Sequence, residues 1–414
     1  MGYKLSAAKG ISWMGLLQFI VRFISVIKIA FIARIFSPSD LGLYGIVILV
    51  LGISEIFSEF GAQPFLIQYK KDISDYADSV WVMQLLRGLI LFILILFVSF
   101  PASIFFKNSS LVWLIILGGI NPLIKSFENV YVVNFQKELY FKKEFIYKFL
   151  FVVTDFFTTL TFVLITHSVV SLILGMLSAS VIGILCSWII LKEKPKLQFN
   201  FNKVKKIFHY GKWINLNSIF YYITNQLDLI VIGRVMGTTS LGYYQIAQKF
   251  SYTPMQEVAD IFGKISFPVY AKISDDLKRF RNAYLQLIVF LFAIELFIVG
   301  FLFIFAREVI LILLGPKWII TEEIFKIFLI YGFIASIVST SGSLFLSVGR
   351  QDILSIISFL RILILIPLLL VFVISNGLTG AVYALIFSFV LLIPIYIVSN
   401  YLLLNGKIKP RFQS

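Results

Sequence analysis

Apolar residues run along this chain in long unbroken blocks separated by short polar connections. Alternation at a period of two would suit a membrane barrel, and a single apolar stripe would suit a soluble bundle. Continuous runs suit helices, which satisfy every backbone group inside lipid. A bilayer core needs about 20 mainly apolar residues per crossing. On that measure the pattern predicts twelve spans, at 11–35, 41–67, 80–105, 111–133, 146–166, 169–191, 212–236, 241–268, 283–306, 324–346, 353–375 and 379–403. The first run extends past any signal-peptide core and has no small-residue cleavage site, so removal of the N terminus is not expected.

The spans also repeat. At an offset of 200 residues Trp13 is matched by Trp213, Ile32 by Ile232 and Arg34 by Arg234. Leu41-Gly42-Leu43-Tyr44-Gly45-Ile46 is matched without a gap by Leu241-Gly242-Tyr243-Tyr244-Gln245-Ile246. Long repeats of this kind characterise transporters, and an even number of spans with direct repetition predicts parallel halves. The expected fold is therefore all-α and integral to the membrane. It has two six-helix lobes, 1–191 and 212–414, joined by a basic linker at 192–211 that reads as a short amphipathic surface helix.

Composition agrees, with 59% hydrophobic and 14% charged residues against roughly 25% charged in soluble chains. The net charge of +15 invites a nucleic-acid partner, but the basic residues are spread over alternate connections. One side of the membrane holds 24 of them and the other six, which places both termini and the linker in the cytoplasm and leaves anionic lipid as their partner. Cys186 is alone, and His167 and His209 lack metal-ligand spacing, so neither a disulfide nor a metal is expected.

Several short motifs carry a family resemblance. Ala33-Arg34, Ser37-Pro38-Ser39-Asp40-Leu41-Gly42-Leu43-Tyr44 and Phe60-Gly61 occur in the first half. Leu241-Gly242-Tyr243-Tyr244, Phe267-Pro268, Ser274-Asp275-Asp276, Leu314-Gly315-Pro316-Lys317-Trp318 and Gly349-Arg350-Gln351-Asp352 follow in the second. In order and spacing the chain resembles the Wzx-type polysaccharide-biosynthesis flippases, whose superfamily also holds multidrug-and-toxin extruders and the lipid II flippase. The resemblance implies two lobes around a central cavity. It also implies export of an undecaprenyl-pyrophosphate-linked oligosaccharide across a bacterial cytoplasmic membrane, without catalysis. Implied partners are that lipid-linked substrate, membrane lipids, and the polymerase and chain-length machinery of the same pathway.

Charges within spans are costly in lipid and mark functional surfaces. Gln18, Arg22 and Ser25 share a face of the first span. Arg22, Arg87, Lys249 and Arg361 are the candidates to compensate a pyrophosphate, since guanidinium forks replace lost hydration well. The competing expectation for each is pairing with a neighbouring acid or snorkelling to an interface. Asn217, Tyr221, Thr224, Asn225 and Asp228 form a polar stripe on the seventh span, read as cavity-facing or as interhelical packing. With Glu55 and Glu59 they are candidates for coupling to H⁺ or Na⁺, and the spacing favours neither ion. Asp228 is the counterpart of Lys28 under the repeat, which suggests a gate between them. Lys125 and Glu128, at i and i+3, suggest an intrahelical pair. Two alternatives remain: a cation-coupled multidrug exporter on the same fold, and a membrane-embedded polysaccharide polymerase. The basic residues within spans weigh against the first, and the lack of a large outer loop against the second. No Gly-rich nucleotide-binding segment is present, which weighs against ATP hydrolysis.

Overall fold

The computed structural model describes residues 20–408, leaving aside the side chains at 210, 212–217, 220 and 221. Every element among the described residues is helical. The first half comprises α1 (20–35), α2 (Pro38–Ser58), α3 (Ala62–Gln68), α4 (Ser74–Phe105) and α5 (Leu111–Lys125). A 3-10 turn (Val130–Val133), α6 (Asn134–Lys137), α7 (Phe141–Thr166) and α8 (Val170–Ile190) complete it. The second half comprises α9 (Phe201–Val235), α10 (Gly237–Ile273), α11 (Leu277–Ile304), α12 (Ala306–Leu313) and a 3-10 turn (Pro316–Thr321). It continues with α13 (Glu322–Ser347), α14 (Gln351–Val390) and α15 (Ile393–Leu404). The chain folds as two compact units that divide within α9, between Tyr222 and Ile223.

Among the described residues, seven helical stretches are long and apolar enough to cross a membrane, or eight if the bent pair Leu111–Lys125 and Val130–Lys137 is one span. The expected twelve exceeds that count. The difference lies in α1, described only from residue 20, and in the long but polar α9 and α10. It lies also in Gln351–Leu404, counted once although Gly377 breaks the helix with φ 61 and ψ −134. Large apolar side chains face outward: Phe97, Ile189 and Phe297 are 74%, 80% and 75% exposed. Water would penalise such surface at about 25 cal/mol per Å², whereas lipid does not. The chain is a multi-pass membrane protein.

The 200-residue repeat appears as repeated local structure. α1 ends at 35 and α2 starts at Pro38, while α9 ends at Val235 and α10 starts at Gly237. Ile32 and Ile232, Leu41 and Leu241, and Ile46 and Ile246 are buried in both halves. The restart is secured differently in each half. Ser37 and Asp40 form a reciprocal capping box on α2, whereas α10 turns on Gly237, whose φ of 82 favours glycine. The second-half motifs also find one another, because the buried Trp318 packs edge-on against Tyr243 at 5.6 Å.

The span expected at 41–67 breaks after α2. Glu59 leaves the helical region with ψ 135, and Gly61 adopts φ 72 before α3 begins. At Gly61 the backbone approaches Gly211 of α9 so closely that a Cβ on Gly211 would lie 2.1 Å from the Phe60 carbonyl oxygen. Only glycine fits at either position. Around this contact Phe60, Leu66, Ile73, Ala77, Val130, Phe135 and Ile207 form a buried apolar cluster. The start of α4 is held by the Ser74 N–H, which donates to Asp72 at 2.8 Å and keeps that carboxyl below its usual range.

Candidate functional site

In the first unit, α1 and α7 are bridged by charge. Lys28 Nζ lies 2.6 Å from Asp155 Oδ2, with the two side chains 16% and 27% exposed. Thr159 adds a hydroxyl 3.4 Å from Asp155 Oδ1. Arg22 stands exposed on the same helix as Lys28, and Gln18 lies outside the described residues.

Arg87 of α4 is engaged by the end of α2. Its Nη2 donates to the Glu55 carbonyl at 3.0 Å and its Nε to Ser58 Oγ at 3.0 Å. The Glu59 carboxylate lies 3.4 Å away, and the Phe60 ring lies under the guanidinium at 5.9 Å. A helix broken inside a membrane leaves orphan carbonyls, and the arginine fork supplies donors for them. Glu55 thus takes part through its carbonyl, and Glu59 by accepting the Gly61 N–H at 3.2 Å. Lys125 and Glu128 do not form the expected helical pair. α5 ends at Lys125, so Glu128 falls in the turn beyond, where the Tyr147 hydroxyl donates to it.

In the second unit, the stripe on α9 leads to a buried carboxylate. Asp228 is 3% exposed and accepts the Tyr244 hydroxyl at 2.8 Å and the Leu229 N–H at 2.9 Å. Gln248 Nε2 adds a longer contact at 3.5 Å. Thr224 is buried and Asn225 exposed, while the side chains of Asn217 and Tyr221 lie outside the described residues. Lys249, one turn beyond Tyr244 on α10, stands exposed.

Arg361 of α14 lies flat on the Phe389 ring at 3.8 Å. It donates to the Tyr331 hydroxyl at 3.1 Å and to Ser388 Oγ at 3.4 Å. Its partner Tyr331 leads back towards Tyr244, the partner of Asp228. An aromatic series connects them: Tyr244 packs on Phe328 at 4.9 Å, and Phe328 on Tyr331 at 6.1 Å. Asp228 and Arg361 therefore belong to one polar cluster, walled by rings from α10, α13 and α14.

Lys28 pairs with Asp155 and Asp228 with Tyr244, each inside its own unit. Sequence inspection missed Tyr244 as that partner, although it is the last residue of the repeated Leu-Gly-x-Tyr motif. Nor did it indicate a partner for Glu295, which is fully buried on α11 and accepts the Ser336 hydroxyl of α13. A lone acid in an apolar run carries no sequence signal for its partner. Among the described residues, no group of three or more His, Cys, Asp or Glu side chains gathers as metal ligands.

Comparison with known proteins follows the same lines. A 22% identical relative, covering 92% of this chain and 77% of its own length, is the lipopolysaccharide biosynthesis protein WzxC of Escherichia coli K12. The teichuronic acid biosynthesis protein TuaB of Bacillus subtilis is 24% identical over 83% of this chain and 72% of its own. Among solved structures, the lipid II flippase MurJ in an inward closed conformation aligns with a TM-score of 0.76 at 19% identity, over 96% of this chain and 87% of that one. An inward-facing multidrug-resistance MATE transporter aligns with a TM-score of 0.72 at 16% identity, over 96% of this chain and 98% of that one. Both show the two-lobed helical fold that these transporters share. The profile of the family described as "Polysaccharide biosynthesis protein" matches residues 31–323, and the chain belongs to that family.

Proposed function

We propose that the chain is a flippase that moves undecaprenyl-pyrophosphate-linked oligosaccharide units from the cytoplasmic to the outer leaflet of a bacterial cytoplasmic membrane. It works by alternating access, supplies surface polysaccharide synthesis, and has both termini in the cytoplasm. The observation that carries this reading is the series Asp228, Tyr244, Phe328, Tyr331 and Arg361, which holds an acid and a base among the rings of a polysaccharide-biosynthesis protein. Ionisable side chains in the interior of membrane proteins mark substrate and ion pathways. Arg22 and Lys249, both exposed, are the cations assigned to the pyrophosphate, together with Arg361. Asp228 is the coupling acid, discharged by H⁺ or Na⁺ during the cycle. Relatives with polysaccharide-biosynthesis names support a glycan cargo over a drug, as does the basic character of the candidate residues.

The test is to delete the chain in its host and isolate the lipid-linked saccharides. Accumulation of an undecaprenyl-pyrophosphate oligosaccharide in the inner leaflet is expected, with its appearance in the outer leaflet restored by the purified chain in vesicles. Unchanged lipid-linked pools together with altered drug sensitivity would overturn the reading in favour of a small-molecule exporter.

A further inference from the structure

Between the end of α8 at Ile190 and the buried Ile207 of α9 runs a mostly exposed basic segment of the first unit. It is pinned at one height. The Lys196 N–H donates to Asp78 Oδ1 at 2.8 Å, and the Asn200 N–H to Ser79 Oγ at 3.2 Å. Lys203 Nζ donates to the Asp75 carbonyl. Asn129 Nδ2 holds the Glu193 carbonyl at 2.9 Å.

Those anchors on α4 lie just outside its apolar run, which opens with Val80 and Trp81. At 1.5 Å per helical residue, Asp75 to Ser79 lie about 3–9 Å along the axis from Trp81. Trp81 itself packs edge-on against Trp188 of α8 at 5.6 Å, in the manner of tryptophans at a membrane–water interface. The headgroup layer adds roughly 5–7 Å on each side of the hydrocarbon. The segment therefore runs at headgroup depth.

Its outward face suits that depth. Lys192, Lys194, Lys196, Lys205 and Lys206 are exposed, with Glu193 the one acid from 192 to 209. Interleaved with them, Leu197, Phe199, Phe201 and Phe208 are 74%, 52%, 69% and 60% exposed. Basic and large apolar side chains alternating at an interface match a layer that is anionic outside and apolar just beneath.

We propose that this face docks on anionic phospholipid headgroups of the adjoining leaflet, with the lysines on phosphate and Leu197 and the phenylalanines among the upper acyl carbons. The docking surface then secures the first turns of α9, the helix that carries Asp228 further along.

The test uses the full chain with Cys186→Ala and Phe199→Cys, labelled at position 199 with a polarity-sensitive fluorophore. It is placed in nanodiscs of phosphatidylcholine alone, or with phosphatidylglycerol as a third of the lipid. Iodide quenching is expected to fall about threefold in the anionic discs and to recover in high salt. Replacing the five exposed lysines with glutamine should abolish the difference. The salt titration reads the same effect without touching them. Equal quenching in both lipids, or protection that survives the loss of all five lysines, would overturn the proposal. So would protection that appears only when cytosolic protein is added, because the occupant would then be a protein.

Discussion

Lys28 on α1 and Asp155 on α7 meet at 2.6 Å, while position 228, equivalent to 28 under the repeat, carries the opposite charge. Asp228 accepts the Tyr244 hydroxyl of α10 at 2.8 Å. The opposite charges at 28 and 228 are each answered inside their own unit. Such an arrangement keeps a charge at depth in each half while limiting its desolvation cost.

The first-unit pair gives a direct stability test. Asp155→Ala leaves the Lys28 ammonium half-buried without its partner, at a cost of about 1–3 kcal/mol. Replacing both, as Lys28→Met with Asp155→Leu, should recover more than half of that loss. Thermal unfolding of the full chain in detergent measures the cycle. Equal destabilisation by the single and double variants would show that the pair contributes nothing beyond packing.

Gly61, just beyond α2, and Gly211 of α9 should be intolerant of any side chain. Gly61→Ala meets a left-handed backbone penalty of about 1–2 kcal/mol and also places a Cβ 2.6 Å from the Gly211 Cα. Gly237→Ala meets only the backbone penalty, since nothing lies within 4 Å of its added Cβ. Purified yield and melting temperature should therefore fall further for Gly61→Ala. Similar losses in both would mean that the backbone around Phe60 relaxes freely.

Arg87 and Arg22 should separate into two kinds of loss. Arg87→Lys forfeits the fork on the Glu55 carbonyl and Ser58, so it is expected to lower the melting temperature. Arg22→Ala should abolish glycan export while leaving membrane insertion normal, with Arg22→Lys rescuing only part of the export. Full export by Arg22→Ala at normal protein level would remove it from the substrate path.

Asp228 is expected to matter as an acid. Asn keeps its shape and can still accept the Tyr244 hydroxyl, but it cannot titrate. Asp228→Asn should therefore slow transport of a fluorescent lipid-linked sugar in vesicles by about a hundredfold or more, the range of a proton-handling group. Glu59→Gln, at the helix end beside Arg87, should slow it far less. Wild-type rates for Asp228→Asn under both proton and sodium gradients would leave the carboxylate as packing alone.

What could be read along the chain was whatever depends on neighbours in sequence. Hydropathy marks α4, α7, α8, α11 and α13 to within a few residues, because lipid demands apolar length and a helical backbone. The spans expected at 11–35 and 212–236 end at the helix breaks after 35 and 235, and the 200-residue offset relates the two. Partner choice was not legible. Arg87 serves the end of α2, Tyr147 reaches Glu128, and Asp228 is met by Tyr244. A charge in an apolar run has many possible answers along the chain, and in lipid the answer is whichever donor the packing brings within about 3 Å. Helix ends follow the same rule, since the break at Glu59 is set by the close approach of Gly61 to Gly211, residues far apart in sequence.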